Sequence, residues 1–198
     1  PKALLKFHAC SEGCRTALEE HLVEAALYAR DGQDRSRVHF TVSCEHEKAV
    51  RDRLAEVIPA YEQAYGTRYE IGLSTQEAAT NTLAVDPEMR PFRNDQGELV
   101  FRPGGHGSLL TNLDTLDGDV IFLKNIDNVV PDRLKPVTVR WKKILGGALI
   151  TLQDGIFRRL RLLENGGAGN ADLGEIELFC RERLRVDLPP AFERRSPA

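Results

Sequence analysis

Val38-His39-Phe40-Thr41-Val42 and Tyr69-Glu70-Ile71-Gly72-Leu73 decide how this chain is read. The first is β-branched and aromatic and the second mixes aromatic with branched residues, so both read as strands. Between them Ser43 can cap a helix, with Glu45 and Glu47 placed at its positive end. Leu54, Val57, Ile58 and Tyr61 supply that helix with an apolar face, and Pro59 is expected to kink or interrupt it. Ahead of the first strand, Thr16-Ala17-Leu18-Glu19 reads as a capping box. It opens a helix expected to run to about Arg30, with Leu18, Leu22, Ala25 and Ala29 along one stripe. Asp31-Gly32-Gln33-Asp34 then turns the chain. The order helix, strand, helix, strand predicts an α/β protein with parallel strands.

Beyond Leu73 the pattern loosens. Pro87, Pro91 and the turn Asn94-Asp95-Gln96-Gly97 suggest a hairpin-like excursion, from which Leu99-Val100-Phe101 returns. Ser108 to Leu113 can form a short helix, and Val120-Ile121-Phe122-Leu123 reads as a central strand covered on both faces. A long amphipathic helix is expected from about Val137 to Leu163, with Trp141, Ile144, Leu145, Ala148, Leu152, Ile156 and Leu160 at helical spacing. Gly146-Gly147 should weaken its middle or allow close packing. The glycine-rich stretch 165–170 reads as a linker before a last helix near Leu173–Leu184 and a polar tail. The expected organisation is an α/β domain over 1–164, followed by linker, helix and tail over 165–198. No internal repeat is visible.

The composition is that of a globular domain: 198 residues, 41% hydrophobic and 29% charged, with a net charge of -3. Lys and Arg are dispersed among Asp and Glu, so nothing marks a nucleic-acid binder. No apolar run reaches the length of a membrane span, and the start resembles no signal peptide, which makes the cytoplasm the expected compartment. Cys10, Cys14, Cys44 and Cys180 do not suggest a disulfide framework. Cys10 and Cys14 lie near His8, so a zinc site is conceivable. Their spacing lacks the paired Cys-x-x-Cys of a zinc knuckle, and reduced thiols are the plainer reading.

The candidate chemistry lies in two stretches, Phe101-Arg102-Pro103-Gly104-Gly105-His106-Gly107 and Asn125-Ile126-Asp127-Asn128. The first is a glycine turn placed where a helix can start. It is either a tight connection or a cradle where Gly104 and Gly105 admit a flat base or sugar and His106 offers a hydrogen bond. In the second, Asp127 follows an apolar run immediately. It is either a turn residue or a carboxylate at a sheet's carboxyl edge, where one aspartate can hold magnesium alongside phosphates and water. Gln76 follows another strand at the same expected edge; it is either a solvated loop residue or an amide able to read a uracil-like base. Lys2 can meet phosphate as a point charge.

Pro103-Gly104-Gly105-His106-Gly107 together with Asn125-Ile126-Asp127-Asn128 resembles the Pro-Pro-Gly-His-Gly-Asp and Asn-x-Asp-Asn-Leu pair of eukaryotic-type UDP-sugar pyrophosphorylases, including UTP–glucose-1-phosphate uridylyltransferases. The chain as a whole is similar to a mainly bacterial family described as a domain of unknown function. That similarity rests on the stretch 19–25, on His39-Phe40-Thr41-Val42-Ser43 and on Phe101 through Leu110. The resemblance implies a three-layer, Rossmann-like GT-A fold with a mixed, mostly parallel sheet. It also implies a magnesium-dependent nucleotidyltransferase that joins a nucleoside triphosphate to a sugar 1-phosphate and releases pyrophosphate. A module of the same fold that binds nucleotide or sugar phosphate without turnover is the alternative. Carried over, Asp127 would hold Mg2+, and Lys2 of the Pro-Lys motif would neutralise the transferring phosphate. Gln76, Gly104 and Gly105 would contact the base, with His106, Asn125 and Asn128 near the sugar phosphate. Ser108 stands where the uridylyltransferases have aspartate, which leaves the sugar open. The family's glycine-rich nucleotide loop would precede Pro1 and a second phosphate-contacting lysine would follow the C-terminus, so a fragment is expected.

Overall fold

Local sequence builds the centre of the fold much as its periodicity predicts. The computed structural model describes residues 1–10, 13–166 and 168–187. A hairpin of β1 (Lys6–Cys10) and β2 (Gly13–Thr16) leads into α1 (Ala17–Tyr28), then β3 (Arg35–Val42), α2 (Cys44–Tyr65) and β4 (Arg68–Thr75). Thr16 closes the expected capping box: its hydroxyl accepts from the Glu19 amide at 3.3 Å, and the Glu19 carboxylate accepts from the Thr16 amide at 2.7 Å. Thr16→Ala is expected to cost about 1 kcal/mol, measurable by chemical denaturation. Pro59 leaves α2 unbroken. It sits on the exposed side, where the carbonyl it deprives of a partner can meet water. Gly66 ends that helix at φ 58, a conformation that costs glycine nothing.

β3 and β4 pair in parallel over their whole length, from Arg35 opposite Arg68 to Val42 opposite Thr75. Alternate residues Val38, Phe40, Val42, Tyr69, Ile71 and Leu73 join Leu18, Leu22 and Ala26 of α1 and Val50, Leu54 and Val57 of α2 in one core. Both helices therefore cover the same face of the pair. The opposite face carries the alternating set, with Arg37 bonded to Glu70 and His39 to Ser74. Among the described residues a two-stranded parallel pair with helices on one face stands where three layers with a mixed, mostly parallel sheet were expected.

The expected central strand at Val120–Leu123 does not form. A continuous apolar run is equally at home as an extended segment resting on a helix, and this one takes that course. Phe122 packs edge-on against Tyr28 of α1 with ring centroids 5.1 Å apart, and Lys124 reaches Glu24 one turn earlier. Leu123, at 73% exposed, is left outside. The excursion after β4 is a small antiparallel piece of β5 (Thr82–Leu83) and β6 (Phe101–Arg102), extended by isolated bridges Val85–Pro91 and Arg93–Leu99. Helix α3 (Leu110–Asp114) follows a 3-10 turn over His106–Leu109.

The chain divides into two compact units, Pro1–Lys142 and Lys143–Ala198. Helix α4 (Lys135–Glu164) begins in the first and runs through Gly146-Gly147 without interruption. In the second unit, α5 (Asn170–Glu182) opens with Asp172 accepting from the Gly169 amide at 2.8 Å. Its Phe179 stacks under the Arg159 guanidinium of α4 at 3.8 Å. The stretch expected to be a linker ends inside α5, and the polar tail lies outside the described residues. No helix among the described residues is long and apolar enough to cross a membrane. Cys10, Cys14, Cys44 and Cys180 are free thiols.

Candidate functional site

Residues far apart in the chain meet in the first unit. The Lys2 ammonium donates to Asp127 Oδ2 at 2.7 Å, across 125 positions of sequence. Asp127 stands on a turn closed by the Asn128 amide, which donates to the Asn125 carbonyl at 3.0 Å, so Asn125 and Asn128 flank it. The Lys2 hydrogen bond holds the Asp127 carboxyl below its ordinary value, helped by its own backbone amide and by the charges of Lys2 and His106. Both charges of the Lys2–Asp127 pair face solvent, 64% and 40% exposed.

The glycine turn is set by the end of β4. Asn112 of α3 is buried and donates through Nδ2 to Ser74 Oγ and to the Thr75 carbonyl, each at 3.0 Å. This ties α3, and the turn just before it, to the carboxyl end of the parallel pair, the usual ligand edge of an α/β sheet. Gln76 leaves that edge and donates to Thr80 Oγ1 at 3.1 Å. A Cβ on Gly104 would lie 2.7 Å from the Thr80 carbonyl and 3.0 Å from Ser108 Cβ, so the backbone there has room for glycine alone. Gly105 is open: nothing lies within 4 Å of where its Cβ would be. Gln76 and Gly104 thus meet through Thr80, and Gly105 offers an unshielded backbone surface beside them. Gly104→Ala is expected to destabilise by about 1–3 kcal/mol through overpacking, while Gly105→Ala changes stability little; denaturation of the two variants side by side checks this.

Sequence reasoning missed the support behind Asp127. Glu20 and Glu24 of α1 are fully buried, although the helix was read for its apolar stripe alone. Glu24 bonds Lys124, and its Oε2 also accepts from the Tyr28 hydroxyl at 2.9 Å. Burial and the Glu24 charge push the Tyr28 hydroxyl well above the usual phenol range. Glu20 bonds Lys135 and accepts from His8 Nδ1 at 3.2 Å, while Arg15 pairs with Asp132. His21 Nε2 donates to the Ile126 carbonyl at 3.1 Å, and burial lowers its pKa, which keeps the ring neutral. The signal available in sequence was three acids, Glu19, Glu20 and Glu24, among the apolar residues of one helix, since such charges stay buried only when paired.

Magnesium at Asp127 would find a single hard carboxylate. Among the described residues no group of three or more His, Cys, Asp or Glu is arranged to hold a metal. This donor set fits Mg2+ only in the mode where phosphate and water oxygens complete the octahedron. No curated protein and no solved structure matches the chain. A family described as a domain of unknown function, DUF4301, matches it over residues 1–198, and the chain belongs to that family.

Proposed function

We propose that the first unit carries the base and sugar-phosphate side of a GT-A-like nucleotidyltransferase pocket. Its substrates are a UTP-like nucleoside triphosphate and a sugar 1-phosphate. The observation that carries this reading is the meeting of Lys2 with Asp127 across 125 positions of sequence, on a turn flanked by Asn125 and Asn128. In the reaction, a phosphate oxygen of the sugar 1-phosphate attacks the α-phosphorus of the triphosphate. The bond from that phosphorus to the β-phosphate oxygen breaks, and pyrophosphate leaves. Asp127 would hold magnesium, which when bound would neutralise charge on the phosphates.

The chain's own residues supply position and charge, with no covalent nucleophile. Lys2, released from Asp127, balances charge on the transferring phosphate. Gly105 lets the base lie against the backbone, and the Gln76 amide offers it a donor and an acceptor. His106, Asn125 and Asn128 contact the sugar phosphate. A non-catalytic binding module of the same fold is the second reading.

Pyrophosphate exchange by the full-length gene product tests the first reading. It expects magnesium-dependent exchange with at least one pair of nucleoside triphosphate and sugar 1-phosphate. Nucleotide binding without exchange, persisting in Asp127→Ala, would select the module. Neither binding nor exchange would remove both.

A further inference from the structure

Three side chains on one side of α1 hold the segment that carries Asp127, each at a different point. Glu24 bonds Lys124 just ahead of the turn, and His21 donates to the Ile126 carbonyl within it. Glu20 bonds Lys135 beyond it, and the Lys135 ammonium also donates to the Val130 carbonyl. Residues 124–131 contain no helix or strand, only the turn at Asn125–Asn128. No ladder of backbone bonds fixes them, so their position depends on what grips them from outside.

Apolar packing shares in that grip, with Ile126 against the core and Val129 buried, but two of the three contacts from α1 are ion pairs. Both glutamate side chains are 1% exposed, Lys124 12% and Lys135 5%. Removing such charges from water is costly, and well-packed apolar groups of similar volume would hold α1 in place as well or better. An ammonium is fixed in direction by its acceptors, and an alkyl chain is not. Glu24 Oε1 is buried with no hydrogen-bond partner among the described residues, so this carboxylate spends its bonds on Lys124 and Tyr28 through Oε2.

We propose that Glu20, His21 and Glu24 are positioning residues for Asp127: α1 sets where that carboxylate stands relative to Lys2. The inference rests on the reading of Asp127 as the metal-holding carboxylate. A substitution that only cut the helix loose would disturb α1, α2 and the loop together. One that removed positioning alone would release the loop and leave the core intact.

The test compares native full-length protein with E24L/K124M, which keeps apolar volume and removes the charge pair, and with the charge exchange E24K/K124E. Hydrogen exchange of the backbone amides is read alongside Mn2+ binding in the presence of UTP, followed by electron paramagnetic resonance. E24L/K124M should melt within a few degrees of native and lose amide protection only over residues 124–130. Its affinity for Mn2+ with UTP should fall about 10–100-fold, the usual scale for groups that orient a metal ligand. The charge exchange should recover protection and affinity toward native. Unchanged loop protection in E24L/K124M would overturn the proposal, and so would loss of protection spread through α1 and α2. A native protein that binds no Mn2+ with UTP, but whose loop alone is released in E24L/K124M, would remove the nucleotidyltransferase reading and leave the positioning of the loop standing.

Discussion

Asp127→Asn is expected to lower magnesium-dependent pyrophosphate exchange by at least about 100-fold, the scale on which one group stabilising transition-state charge is felt. Asparagine keeps the size and one acceptor oxygen, and loses the negative charge that binds a hard cation. Without that charge Lys2 loses its partner as well, so both groups of the pair change at once. Thermal stability should barely move, because exposed ion pairs contribute little to folding. Loss of exchange at an unchanged Tm is thus the signature of a site residue. Because Lys2 holds the native carboxyl below its ordinary value, Asp127 stays ionised into more acidic solution than a free aspartate. The acid limb of native exchange at limiting substrate, which reports the free protein with Lys2 still on Asp127, should lie below the usual carboxylate range. Equal exchange in Asp127→Asn and native protein would remove Asp127 from the chemistry.

Lys135→Met is expected to have the largest effect on stability, about 3–5 kcal/mol, the cost of leaving a buried charge without its partner. Glu20 would keep His8 at 3.2 Å and Arg15 at 3.9 Å, but lose the ammonium that shares its burial. The Val130 carbonyl would lose its donor in the same step. In a chain of this size the change corresponds to a Tm lower by roughly 10 °C. Glu20→Leu combined with Lys135→Met should be the more stable of the two variants, since no carboxylate is then stranded. A double-mutant cycle on Glu20 and Lys135 reads that coupling directly. A single substitution that melts with native protein would mean that Glu20 is satisfied by its other partners.

The parts of the fold legible in sequence are those whose cause is local. The Thr16–Glu19 box, the strands around Phe40 and Ile71 and the helix between them follow from spacing within a few residues. The alternation of Val38, Phe40 and Val42 with Arg37, His39 and Thr41 also held the fact that only one face of the pair would be covered. It was read as strand character and not as a count of layers. The run Val120–Leu123 misled because hydrophobicity specifies burial and not a hydrogen-bonding partner, and here the partner is an α1 side chain. The spacing of Cys10 and Cys14 carries no mark of the β1–β2 pair, in which Cys14 stands opposite Ala9. At the candidate site, the association of Lys2 with Asp127 could be expected only through resemblance. No periodicity reports a contact across 125 residues. For the same reason Glu20 and Glu24 gave no hint of Lys135 and Lys124, which lie 115 and 100 positions away.

Helix α1 turns Leu18, Leu22 and Ala26 toward the core while Glu20, His21 and Glu24 reach the Asp127 segment. One rigid rod therefore serves two tasks, on separate faces. In a scan of all single variants scored for both cellular abundance and function, Leu18, Leu22 and Ala26 should fall on the diagonal, each variant losing both in proportion. Positions 125–128 should leave that diagonal, with abundance kept and function gone, and the paired replacement E24L/K124M should join them. Change at the turn alters function at no cost in folded protein, and change on the core face of α1 alters both.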